Sequence, residues 1–308
     1  MQLQPINKTS YPTHWRVWWN LLRPHTLTAS FIPVIIGSTL SLTYTQFRPA
    51  LFIAMLFACM LLQVATNIFN EYYDYLCGLD TTQSVGIGGT IVREGMSPQL
   101  VLRLAQAAVV EAFILGLYLC YSTSWYLLVI GLIAAAIGYL YSGGPYPLSA
   151  TPLGELVAGM CMGLVIIVTS FYIQTGIVSI ISILISIPTS ILIGAIMMSN
   201  NIRDLEADKL HGRKTLAILL KRKMAVYILQ AMFILAYTGI ILLILCKATT
   251  PWILLCFLSI PFATRAVKGF KKNTSSPKEL MPAMVATAQT NTVFGLALAI
   301  GLFIQSFF

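Results

Sequence analysis

With 308 residues, of which 57% are hydrophobic and 9% charged, and a mean hydropathy of +0.82, the chain has too little polar side chain to cover a water-facing surface. Soluble domains carry about 25% charged residues, so most of this exterior must face lipid. A soluble nucleic-acid binder is excluded despite the net charge of +9, because that basic excess reads as membrane orientation.

In chain order, Trp15, Trp18, Trp19 and Leu22 recur at helical spacing beside Arg16 and Arg23. This predicts a short interfacial helix over about 12–23, aromatic face down. The first strongly apolar run starts after Pro24 and continues as a span, so no cleavable signal is expected. Crossing a ~30 Å hydrocarbon core takes ~20 apolar residues as helix. That window places about nine spans, near 27–45, 50–69, 99–120, 124–142, 153–174, 177–199, 224–246, 250–267 and 284–306. The expected fold is an all-α, multi-pass transmembrane bundle forming one domain over residues 1–308.

With an odd number of spans and the N-terminus inside, seventeen of the 19 Lys and Arg residues fall on the cytoplasmic side. Only Arg48 and Lys247 fall on the other. That bias supports both the count and the direction. The six cysteines (Cys59, Cys77, Cys120, Cys161, Cys246 and Cys256) show no CxxC or paired spacing and read as small hydrophobes.

The chain has only ten acidic residues, and their placement is informative. Glu71, Asp74 and Asp80 lie in N67-I-F-N-E-Y-Y-D-Y-L-C-G-L-D80, with Glu94 close behind; Asp204, Glu206 and Asp208 lie in N200-N-I-R-D-L-E-A-D208. Each stretch follows an even-numbered span, the second and the sixth, so both emerge on the cytoplasmic side. Asn67, Asn70 and Asp74 share a helix face at i, i+3, i+7, and Asp80 follows Gly78, where the helix is expected to end. Asn200, Asp204 and Asp208 share one at i, i+4, i+8. As plain interfacial acids these residues would pair with Arg93, Arg203, Lys209 and Lys214. Two clusters at matched positions in a chain nearly empty of acids point instead to a functional site. Facing carboxylates need a cation, and oxygen-only ligands without nearby His or Cys suit Mg²⁺ rather than zinc or iron. Glu111, in the third span, has no evident partner. His25 and His211 read as interfacial.

The pattern N70-E-Y-Y-D74-x₅-D80 with N200-N-I-R-D204-x₃-D208-x₃-G212-R-K-T-L resembles the two aspartate-rich motifs of the UbiA superfamily of intramembrane prenyltransferases. The likeness extends through R23-P-H-T-L-T-A-S-F-I-P-V-I-I-G37, S84-V-G-I-G-G-T-I-V-R-E-G95, Y139-L-Y-S-G-G-P-Y-P-L148 and G154-E-L, and covers roughly residues 20–300. It is greatest to the branch that prenylates 1,4-dihydroxy-2-naphthoate in menaquinone biosynthesis. The resemblance implies that Asn70, Asp74 and Asp80 hold one Mg²⁺ against a polyprenyl diphosphate. Asp204 and Asp208 would hold a second, with help from Asn200 or Asn201. Arg93, Tyr141, Asn67, Tyr139, Ser142, Arg203, Lys209 and Lys214 would line the substrates, with Arg93 offered to the acceptor's carboxylate. Glu71 stands where many members have Asp, so it is expected beside substrate rather than on metal.

The implied reaction joins the isoprenoid chain to the dihydroxynaphthoate ring, releasing diphosphate and CO₂, at the cytoplasmic face of the cell membrane. Other acceptors within the class are 4-hydroxybenzoate and haem. The rival class is a cation-coupled transporter, whose acids would lie at discontinuous helices near the bilayer centre.

Overall fold

The computed structural model of the protein describes residues 15–78, 88–143, 147–272, 274 and 276–308, and among these it contains no strand. A short amphipathic helix, α1 (Trp15–Leu22), precedes α2 (Pro24–Leu40), α3 (Pro49–Leu76), a one-turn α4 (Thr90–Glu94), α5 (Pro98–Ser122) and α6 (Tyr126–Ser142). The fifth span is built from α7 (Gly154–Ala158), a π-helical turn (Gly159–Val165) and α8 (Ile166–Thr175). Then come α9 (Ile180–Arg203), α10 (Leu205–Leu210), α11 (Leu216–Leu245), a 3₁₀ segment (Pro251–Ser259) continuing into α12 (Ile260–Phe270), and α13 (Pro277–Gln305).

All nine expected spans correspond to helices. Eight are long and apolar enough to cross a membrane, and the fourth, at 17 residues, is shorter. At 1.5 Å per residue that helix is only about 26 Å long. Two helices run past their apolar windows on the motif-bearing side: α3 ends at Leu76 rather than 69, and α13 begins at Pro277 rather than 284. There hydropathy stops at the first polar residues, whereas the backbone hydrogen-bond ladder does not. α11, which begins at Leu216, is instead broken at Lys221 (φ 64°, ψ 153°), just before the expected start of its span at 224.

The largest core joins α2, α8, α9, α11, α12 and α13 through Ile32, Phe171, Leu192, Met198, Phe233 and Phe294. A second joins α3, α5 and α6 around Leu51, Leu119 and Leu127. The fifth span packs against α9 closely enough that a Cβ on Gly163 would stand 2.3 Å from the Ser190 hydroxyl. Only a glycine allows that approach, and it occurs within the π-helical turn, a distortion that recurs near functional sites.

In α1, Val17 and Leu21 are buried against Ile68, Ile91 and Met96, while Trp15 and Trp19 face away from the bundle. The helix thus has two apolar sides, one for the bundle and one for its surroundings. Residues 12–14 of the expected interfacial helix lie outside the described residues.

Candidate active site

The first motif rides on the last two turns of α3, an unbroken helix through Leu76. The second straddles a break. α9 ends at Arg203, Asp204 leaves helical geometry (φ −93°, ψ 6°), and α10 resumes at Leu205. The Asp204 N–H still donates to the Asn200 carbonyl and the Asp208 N–H to that of Asp204, both at 2.9 Å. The expected face Asn200–Asp204–Asp208 therefore survives with a bend at its middle.

One guanidinium joins the two motifs. Arg213 places Nη2 3.7 Å from Asp74 and Nη1 3.2 Å from Asp208. The turn at Gly212 (φ +73°) brings it there, and the Arg213 N–H closes back onto the Asp208 carbonyl at 3.0 Å. The left-handed conformation at that turn is the one glycine adopts freely. Burial pushes the Asp208 carboxyl above the usual carboxylate range, and Arg213 works in the opposite direction. Arg203 turns onto its own neighbour, with Nε donating to Asp204 Oδ1 at 2.7 Å and Nη2 pairing with Oδ2. Its Nη1 lies 2.6 Å from the Met284 sulfur. Arg203, expected beside substrate, is thus paired with Asp204.

Two further residues expected beside substrate lie on α3 and are engaged within the protein. Asn67 is buried and committed: Nδ2 donates to the Leu22 carbonyl at 3.0 Å and to Thr26 Oγ1 at 2.8 Å, and Oδ1 accepts from Gln63 at 3.1 Å. It ties α3 to the start of α2, with no polar atom left for a substrate. Glu71 has a fully buried side chain whose oxygens accept from Arg23 (3.1 Å), the Gly89 N–H (2.8 Å), Thr90 Oγ1 (2.9 Å) and the Ile91 N–H (3.3 Å). It anchors the segment leading into α4, and neither oxygen is open to substrate or metal.

Asn70 and Asn200 are half-buried, and their side chains make no hydrogen bond among the described residues. Asn201 donates Nδ2 to Glu155 Oε1 at 2.8 Å, both residues buried. Arg93 is exposed on α4, its guanidinium folded within 2.7–3.2 Å of where a Gly89 Cβ would be. The rings of Tyr139 and Tyr73 meet edge to face at 6.3 Å, and the Tyr141 hydroxyl is buried without a partner among the described residues. The side chains of Lys209 and Lys214 are exposed and make no ion pair with the acids among the described residues. Asp80 and the side chain of Ser142 lie outside the described residues.

Sequence reasoning missed Arg213, Arg23 and Glu155. Arg213 was legible in G212-R-K-T-L, but the loop bases look interchangeable until the turn selects one. Arg23 reads as interfacial until its buried partner is seen, and Glu155 was quoted only within G154-E-L.

The donor set fits magnesium. Asn70, Asp74, Asp204 and Asp208 offer hard oxygens, and a guanidinium now bridges carboxylates from both motifs, a place for positive charge. Mg²⁺ takes one or two carboxylates and completes its shell with substrate phosphates and water.

A lipid-facing helical bundle with two acidic motifs joined by a basic residue defines a membrane-embedded enzyme of diphosphate chemistry. The chain belongs to the UbiA prenyltransferase family, which it matches over residues 30–291. It is 54% identical over 292 residues to the 1,4-dihydroxy-2-naphthoate octaprenyltransferase of Bacillus subtilis, covering 95% of this chain and 94% of that one. The fold is shared with the apo structure of a UbiA homolog from Aeropyrum pernix (TM-score 0.68, 16% identity, 90% of this chain and 98% of that one). It is also shared with a UbiA homolog from Archaeoglobus fulgidus bound to GPP and Mg²⁺ (TM-score 0.60, 19% identity, 92% and 99%).

Proposed function

We propose that this integral membrane protein transfers a polyprenyl chain from polyprenyl diphosphate to 1,4-dihydroxy-2-naphthoate, with release of diphosphate and CO₂. The observation that carries the reading is the 54% identity to the Bacillus subtilis octaprenyltransferase across 95% of the chain. The junction of the two motifs through Arg213 supports the chemistry.

Asn70, Asp74, Asp204 and Asp208, with Asp80 from the undescribed segment, would hold Mg²⁺. When bound, the metal neutralises charge developing on the departing diphosphate. The chain's own residues do the rest. Arg213, which pairs with Asp74 and Asp208, would donate to diphosphate oxygens, for which a guanidinium is well shaped. The Tyr73 and Tyr139 rings offer π faces to the allylic cation. Arg93 receives the acceptor's carboxylate, keeping it off the aspartates. The collection of Lys and Arg on one side supports a cytoplasmic active site in the cell membrane.

The test is a product assay on purified protein in detergent with one polyprenyl diphosphate, Mg²⁺ and a panel of aromatic acids. Prenylated naphthoate with no prenylated 4-hydroxybenzoate is expected. Efficient use of 4-hydroxybenzoate would overturn the acceptor.

A further inference from the structure

Asn67 and Asn201 hold matched places in the two halves of the molecule. Asn67 precedes Asn70 and Asp74 by three and seven residues, and Asn201 precedes Asp204 and Asp208 by the same intervals. Each lies near the motif-bearing end of the second helix of a pair, α3 after α2 and α9 after the fifth span. Each ties that helix to the one before it. In the first half neutral oxygens accept the asparagine amide: the Leu22 carbonyl and the Thr26 hydroxyl. In the second half a buried carboxylate, Glu155, takes their place at 2.8 Å.

A hydroxyl or carbonyl suffices for the tie, as the first half shows, so the carboxylate brings something extra. That surplus is Oε2, which is shielded from solvent and has no hydrogen-bond partner among the described residues. Glu155 itself is 5% exposed, and no Lys, Arg or His lies within ion-pair distance of it among the described residues. The Tyr141 hydroxyl, at the end of α6, is also buried without a partner among the described residues. Buried polar groups are normally satisfied, and an ionisable group retained without a partner inside a membrane protein is costly to keep.

We infer that Glu155 Oε2 accepts a hydrogen bond from a ring hydroxyl of the aromatic acceptor. The inference rests on the proposed function and extends it to a residue that recognises the acceptor. The hydroxyl keeps its proton. A hydrogen bond from it to a carboxyl oxygen leaves more electron density for donation into the ring, which must attack an allylic cation. This favours a hydroxylated ring over one whose oxygen carries a methyl group, since a buried acceptor left unpaired is penalised.

The experiment is a fluorescence titration of the full-length protein in detergent, with Mg²⁺, using 4-hydroxy-2-naphthoate and 4-methoxy-2-naphthoate as probes, whose ring oxygen lies away from the carboxylate. Wild type should bind the hydroxy probe about tenfold more tightly, the scale of one buried acceptor left unpaired. Glu155→Gln keeps an oxygen for Asn201 and puts an amide N–H₂ where Oε2 was. It should bring the two probes within about twofold of each other and raise the naphthoate KM by about tenfold. The KM for polyprenyl diphosphate and the Mg²⁺ dependence should stay unchanged. A purely structural role would move all of these together and leave the probe preference intact, which would overturn the inference. Equal binding of both probes by wild type would overturn it as well, without recourse to any variant. Failure of wild type to prenylate the naphthoate would instead undo the proposed function, which the product assay reports separately.

Discussion

Glu71 and Asp74 lie one helical turn apart on α3, yet substitutions at the two should have opposite consequences. Glu71→Gln exchanges one acceptor oxygen for a donor, so an amide N–H₂ faces either Arg23 and the Gly89 N–H, donor against donor, or the Ile91 N–H and a Thr90 hydroxyl that can turn to accept. Two of the four hydrogen bonds are lost in the first orientation and one in the second, and in both the Arg23 guanidinium, only 19% exposed, loses its counter-charge. Each buried group left unpaired costs about 1–3 kcal/mol, and breaking a buried ion pair costs about 3–5 kcal/mol. Partial exposure of Arg23 lowers that sum, so a loss of about 3 kcal/mol is expected, seen as a clear drop in the melting temperature of purified protein in detergent. Turnover of the molecules that remain folded should fall less than in any of the aspartate variants. Asp74→Asn removes a carboxylate whose cation lies 3.7 Å away and whose side chain is 31% exposed, so melting should hardly change while turnover is lost. If Glu71→Gln melted like wild type, or lost as much turnover as Asp74→Asn, the anchoring role would be refuted.

Other outcomes follow from the same structure. Burial raises the Asp208 carboxyl, so its ionised form is less stable in the folded state than in the unfolded chain. This site's contribution to stability is therefore present below the ordinary carboxylate pKa and lost as pH rises through the raised folded value. Asp208→Asn should melt at or above wild type at neutral pH, with any gain shrinking toward acid pH; a melting temperature well below wild type at neutral pH would contradict this. Arg93→Ala should raise the naphthoate KM or lower kcat well beyond Arg103→Ala in steady-state assays, and equal, small effects would remove Arg93 from the site. A reporter fused after Arg213 or Lys271 should stay cytoplasmic and one at the C-terminus should report the outside, whereas a cytoplasmic C-terminus would mean the spans are miscounted.

The helical architecture was legible because lipid imposes a length and a composition on each crossing, and the acids were legible because there are so few. The helix ends were less so: α3 carries Asn70 and Asp74 one and five residues past its apolar window, where hydropathy has no signal. The partners of individual polar residues were least legible. Asn67 and Asn70 look alike in sequence, yet one is spent joining α3 to α2 and the other is uncommitted. Arg23 and Glu71 are 48 residues apart, and only tertiary packing pairs them. Arg203 and Arg213 both lie close to acids in sequence, but backbone geometry at Asp204 and Gly212 decides that one neutralises its neighbour while the other spans both motifs.

The central claim is that the two motifs form one site that ionises a polyprenyl diphosphate, and diphosphate release tests it most directly. Wild-type protein supplied with polyprenyl diphosphate, 1,4-dihydroxy-2-naphthoate and Mg²⁺ should release one diphosphate per prenylated product, and none in excess EDTA. Asp74→Asn, Asp204→Asn and Asp208→Asn should each slow release by about a hundredfold or more, corresponding to ~3 kcal/mol in the ionisation barrier. Near-normal release by Asp74→Asn or Asp208→Asn, or full release in EDTA, would contradict a single magnesium site shared by the two motifs.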